Sequence, residues 1–172
     1  DGYDWRLNLE DAVGKLDAFI NNNIDAGGKV YLVAHSMGGM LARAYVADAG
    51  RAAKIAHVVT VGTPYLGAPL MAERMVAGKT GSPLDWRLQT HQVKELIRFA
   101  PGIVQLLPSS AYFYNTKLPY YRPASGQSLD TYQATIDYFT QQNHVRASIV
   151  DGAEPFHDSY DGFDKNFFAA DR

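Results

Sequence analysis

Leu9, Ala12, Val13, Leu16, Phe19 and Ile20 recur at intervals of three and four, so they share one face of a helix that starts after Asn8. Asn8 suits its N-cap, and Glu10 and Asp11 fall in the first turn, where the helix dipole favours carboxylates. Asn21-Asn22-Asn23 and Gly27-Gly28 break the pattern. Val30 to Ala34 is then an unbroken apolar run, as expected of a strand covered on both faces in a parallel sheet. A helix is predicted from about Gly39 to Asp48, with Gly50 as its C-terminal stop. Ile55 to Val61 reads as a second buried strand, ending in Gly62-Thr63-Pro64. Strand, helix and strand at this spacing imply a right-handed crossover and a parallel sheet.

From Tyr65 to Asn143 the pattern changes to short helices separated by aromatic loops. Pro69 suits the first turn of a helix carrying Leu70, Met71 and Met75. Val93, Leu96, Ile97 and Ala100 mark another, stopped by Pro101. Leu129, Tyr132, Ile136 and Phe139 mark a third, capped by Ser128. Val145, Ala147 and Ile149 alternate as a last strand that ends at Asp151-Gly152. The reading is an α/β chain in three parts: core strands over 1–66, a helical cap or lid over 67–143, and a last core strand with its tail over 144–172.

Composition narrows the chemistry. The 172 residues suffice for one domain with a sizeable core, and 47% hydrophobic with 20% charged is ordinary for a globular chain. A net charge of −2 offers no basic stripe for nucleic acid. No apolar run approaches a membrane span, and no charged and apolar leader opens the chain. With no cysteine, disulfides, thiolate metal sites and a cysteine nucleophile are excluded.

The stretch that carries chemistry is Ala34-His35-Ser36-Met37-Gly38-Gly39, between the first strand and its helix. It fits the nucleophile elbow G-x-S-x-G, with Ala34 for the first glycine. A serine on so tight a turn needs small neighbours at −2 and +2. Its Oγ is then exposed at the carboxyl end of the sheet, and the N–H of Met37 points to where an oxyanion would form. A serine that merely caps a helix is the competing reading.

With Tyr3-Asp4-Trp5-Arg6, the elbow at 33–39 and Thr63-Pro64-Tyr65-Leu66-Gly67-Ala68-Pro69, the chain resembles the lecithin:cholesterol acyltransferase-like branch of the α/β-hydrolase lipases. The resemblance is good over roughly 3–70 and loose over the insertion. It implies a serine-dependent ester hydrolase or acyltransferase acting on lipid-like acyl esters through an acyl-enzyme, with Ser36 as nucleophile and no cofactor. It also implies strands before the tetrapeptide, a second oxyanion donor from one of their loops, and a catalytic acid and histidine after the cap in the order Ser, Asp, His. The chain is therefore expected to be part of a longer protein, with its triad incomplete. A non-catalytic hydrolase-like piece that binds lipid or protein through its cap is the alternative.

Inside the chain the acid and base candidates are Asp151, at the end of the last predicted strand, and His157, which has the right order but follows by only six residues. A turn aspartate before glycine is the simpler reading of Asp151. His57 reads as a core residue, His35 as a packing or hydrogen-bonding residue beside the elbow, and His91 and His144 as capping or surface groups. Asp158, Asp161 and Asp164 are oxygen ligands of the kind calcium takes, but their spacing misses the twelve-residue loop and no metal is expected. Tyr112-Phe113-Tyr114 and Tyr120-Tyr121 are expected to line an acyl pocket, meet a lipid surface, or pack the cap on the sheet.

Overall fold

The computed structural model describes residues 2–78, 89–124, 126–142 and 144–161. Helix α1 (Leu9–Asn23) forms where the periodicity places it and buries Leu9, Ala12, Val13 and Ile20. Asn8 holds the N-cap position, but its side chain makes no capping bond. The free N–H of Leu9 instead donates to Oε1 of Gln105 at 3.0 Å, so a residue 96 positions away completes the helix end.

Strands β1 (Val30–His35) and β2 (Ile55–Val61) pair in parallel, with Leu32 opposite Val58 and His35 opposite Val61. Between them lie α2 (Met37–Val46) and α3 (Ala49–Ala52). Helix α2 buries Met40, Leu41, Ala42, Ala44, Tyr45 and Val46, because it is packed between α1 and the sheet. Gly50 lies inside α3 and does not stop α2. The break falls at Asp48, whose carboxylate accepts the N–H of Arg51 at 2.8 Å and starts α3. Beneath, the Tyr45 hydroxyl donates to Asp17 at 2.7 Å and Lys54 reaches the same carboxylate at 2.8 Å, tying α1, α2 and the entry to β2.

Among the described residues only one of the two faces expected to be covered is covered. Leu32, Val58 and Ile55 pack under α1 and α2, whereas Val33 is 78% exposed and Val59 52%. Tyr31, His35, His57 and Val61 share that open face. His57 is therefore no core histidine; its ring stacks on Tyr31 at 5.2 Å in the open. Among the described residues, all helices packed on this sheet lie on its other face.

After β2 come α4 (Pro69–Ala77), with Pro69 in its first turn as predicted, α5 (Thr90–Arg98) and α6 (Pro101–Val104). Pro101 begins α6 rather than stopping α5, which has already ended at Arg98. Helix α7 (Ser110–Thr116) leads to a bridge between Tyr121 and Leu129, then to α8 (Tyr132–Asp137) and a π-helical turn over Tyr138–Gln142. Thr131, not Ser128, caps α8, its hydroxyl accepting the N–H of Ala134 at 3.1 Å. The predicted last strand is helix α9 (Ala147–Val150), in which the N–H groups of Ile149 and Val150 return to Arg146 O. Three alternating apolar residues do not choose between a strand and one helical turn; without a strand edge beside them, local bonding decided. The chain continues into α10 (Ala153–Asp161).

Two apolar cores result. One joins α1, α2 and the inner sheet face, and takes in Leu106 and Phe156. The other is built by α4, α5, α6 and the segment 120–153, around Val93, Val104, Leu107, Leu129 and Phe139. The boundary at residue 143 and the tail 162–172, including Asp164, lie outside the described residues.

Candidate active site

Strand β1 carries the chain to Ser36 at the carboxyl end of the sheet. The Ser36 N–H donates to Val61 O at 2.9 Å, extending the parallel ladder by one residue before the backbone reverses into α2. That reversal is made at Ser36 itself, with φ 53 and ψ −129. A positive φ with this ψ lies outside even the left-handed helical region, and a side-chain-bearing residue holds it only where its surroundings impose it, at a cost of about 1–3 kcal/mol.

Ser36 occupies the N-cap position of α2, yet its hydroxyl makes no capping bond. The capping reading therefore fails, and among the described residues Oγ has no hydrogen-bond partner at its half-buried position. The Ser36 carbonyl accepts the N–H of Gly39 at 2.9 Å. Met37 is the first helical residue, so its N–H belongs to the amides that a helix leaves unpaired at its positive end. Ser36 Oγ and this N–H are adjacent by construction, an arrangement in which attack by the hydroxyl on a carbonyl carbon would leave the developing oxyanion near the helix amides.

The glycines divide unequally. A Cβ on Gly38 would meet Ala34 Cβ at 3.9 Å, an ordinary contact. A Cβ on Gly39 would lie 1.8 Å from Thr63 Oγ1 and 2.7 Å from Thr63 Cβ. The position that tolerates no side chain is thus +3, not +2. Sequence reasoning missed Thr63 here, although it lies in the Gly62-Thr63-Pro64 segment that closes β2.

The other candidates lie elsewhere. Asp151 does not end a strand; it is the exposed C-cap of α9. His157 is fully buried on α10, with Nε2 3.2 Å from Leu107 O and its ring edge-on to Phe156. Burial pushes its imidazole below the ordinary range, a shift that Glu154 and the Leu107 carbonyl oppose in part. His35 is exposed beside the elbow, within 4.0 Å of where a Cβ on Gly62 would be. Tyr3-Asp4-Trp5-Arg6 docks on the helical region through its backbone: a Cβ on Gly102 would lie 2.2 Å from Trp5 O. Arg6 grips Asp4 at 2.8 and 2.6 Å, and that contact holds the Asp4 carboxyl down at about 2. Of the aromatics, Tyr120 is buried and donates to Leu106 O at 3.0 Å, and Tyr112 packs edge-on against it. Tyr114 is exposed with Lys117 over its ring. Among the described residues no group of three His, Asp or Glu is placed to hold a metal ion, and no helix is long and apolar enough to cross a membrane.

The family model for lecithin:cholesterol acyltransferase matches residues 2–163. No curated protein matches. Among solved structures, the crystal structure of the Tle4–Tli4 complex superposes with a TM-score of 0.66 at 19% identity, covering 93% of this chain and 41% of that one. At that identity the likeness is one of fold, and the chain spans well under half the length of the solved chain it matches.

Proposed function

Since the chain belongs to the lecithin:cholesterol acyltransferase family of α/β-hydrolases, we propose that Ser36 is the nucleophile of an ester hydrolase or acyltransferase that acts on lipid-like acyl esters. The observation that carries this reading is the backbone of Ser36, forced to φ 53 between β1 and α2 with its hydroxyl left uncommitted. A strained serine with a free Oγ, next to unpaired amides at a helix N-terminus, is built for attack on a carbonyl.

In this mechanism Ser36 Oγ adds to the ester carbonyl as its proton passes to a histidine. The Met37 N–H and the positive end of α2 stabilise the oxyanion. Collapse expels the alcohol, which takes the proton, and leaves an acyl-Ser36 ester. Water then gives hydrolysis, and a second alcohol gives acyl transfer.

The base and acid of the relay are supplied from outside this chain. In support, His157 is buried against Leu107 O, and Asp151 is a solvent-facing helix cap. The 67–143 segment is read as the cap over the site, with the exposed Tyr114 and Lys117 as its lipid-facing tip.

The test uses the natural polypeptide that carries this sequence, with a p-nitrophenyl ester as substrate. Ser36→Ala is expected to lower kcat on the order of 10⁴-fold or more, as loss of an acylated serine does. His157→Gln is expected to leave most activity. Turnover that survives Ser36→Ala would refute the assignment, and loss of turnover in a folded His157→Gln variant would place the base inside the chain.

A further inference from the structure

Gly39 and Arg43 are one turn apart on the same face of α2, and Thr63 and Tyr65 lie two apart just after β2. The two pairs meet. Thr63 fills the space a side chain on Gly39 would need, with Oγ1, Cβ and Cγ2 at 1.8, 2.7 and 2.7 Å from that Cβ position. The Arg43 guanidinium lies over the Tyr65 ring, 5.0 Å from its centre. The Tyr65 hydroxyl donates to Thr60 Oγ1 at 2.9 Å, fastening the ring back to β2.

Resting on the reading of Ser36 as nucleophile, we propose that these contacts form a two-point clamp that holds the elbow in its strained conformation. Thr63 is thereby a positioning residue of the reaction. The segment can bear load because it is braced at both ends. Tyr65 N–H returns to Thr63 O at 3.0 Å and Gly67 N–H to Pro64 O at 2.9 Å. Beyond the turn, Ala68 N–H donates to Leu106 O at 2.8 Å. Gly67, at φ 99, lies so close to Pro108 that a Cβ would stand 2.7 Å from its Cα. One rigid segment therefore touches the first turn of α2, the end of β2 and the corner of the helical region.

The hold of Thr63 is steric. Its Oγ1 is buried and has no hydrogen-bond partner among the described residues, so shape and not the hydroxyl does the positioning. With the wedge gone, the first turn of α2 is free to rotate and Ser36 relaxes toward an ordinary capping geometry. Oγ and the Met37 N–H then leave their alignment. A shift near 1 Å costs up to about 10²-fold in rate.

The experiment compares Thr63→Ala and Thr63→Val in the natural polypeptide, by p-nitrophenyl ester kinetics and by hydrogen exchange at the Ser36 and Gly39 amides. Thr63→Ala is expected to lower kcat by about 10- to 100-fold with little change in KM, and to speed exchange at those two amides. Thr63→Val, which keeps the shape, is expected to restore both. Wild-type kcat and exchange in Thr63→Ala would overturn the clamp, and a Val variant as impaired as Ala would overturn its steric basis. If the wild type shows no Ser36-dependent turnover, the functional reading falls while exchange still decides the clamp. Should Thr63→Ala fail to fold, Tyr65→Phe cuts only the bond to Thr60; faster exchange at Gly39 supports the clamp, and unchanged exchange removes its second point.

Discussion

The helical region after β2 and the two-stranded sheet both carry apolar side chains toward a core, yet they finish differently. In the helical region Val104, Leu107, Leu129 and Phe139 are fully buried, and even the intervening polar Ser109 and Thr135 lie out of solvent. In the sheet every second residue of β1 faces water, Tyr31 and Val33 included. Short helices fold back on one another and close their own core. A two-stranded parallel sheet has two faces, and α1 and α2 cover one. The strained serine stands at the carboxyl end of the sheet, its N–H bonded to Val61 O.

Substitutions can break that contrast or sharpen it. The largest stability effect is expected at Leu107→Ala, in the closed core, with a loss of about 2–5 kcal/mol by urea unfolding. A loss below about 1 kcal/mol would mean that this core is less tightly closed than its burial implies. Gly39→Ala comes next. It forces a methyl onto Thr63 and should cost about 1–3 kcal/mol by overpacking, with reduced labelling of Ser36 by a fluorophosphonate. Normal stability and normal labelling together would contradict the close approach.

The pH dependence of the helical side follows from His157. Its folded-state pKa is depressed by burial below the unfolded value of 6.5, so the unfolded chain takes up a proton first. The stability of the neutral buried ring is present above pH 6.5 and is lost as pH falls from there through the folded pKa. His157→Gln should flatten the fall in melting temperature between neutral and mildly acidic buffer; an unchanged slope would show that other groups carry it.

The smallest effect is expected at Val33→Thr on the open face, within about 0.5 kcal/mol as for most surface changes. Were the face covered in solution, the buried hydroxyl would cost about 1–3 kcal/mol instead. This substitution therefore tests directly whether the two regions differ.

Much of the sheet side was legible in advance. The helix after Asn8, both strands and the turn at Ser36 stand where spacing placed them, because each depends on neighbours within a few residues. The helical side was less so. The spacing predicts three of the helical stretches, but it places a cap at Ser128 where Thr131 provides it, and a strand over Val145 to Ile149 where a helical turn forms. Caps and one-turn helices are decided by margins that a short pattern does not record. The small residues predict a tight turn at Ser36, but the position that forbids a side chain is Gly39 rather than Gly38, since the atom in the way comes from Thr63, 24 positions on.

From the chain alone came the alternation of strand and helix, the exclusion of thiol chemistry and the position of the tight turn at Ser36. All of these follow from residue type and local spacing. The open face of the sheet, the burial of His157, the exposure of Asp151 and the wedge of Thr63 against Gly39 were settled only in three dimensions. A sequence states which side chains are apolar or small, but which of them meet a partner depends on segments tens of residues apart, and packing assigns those partners only when the chain has folded.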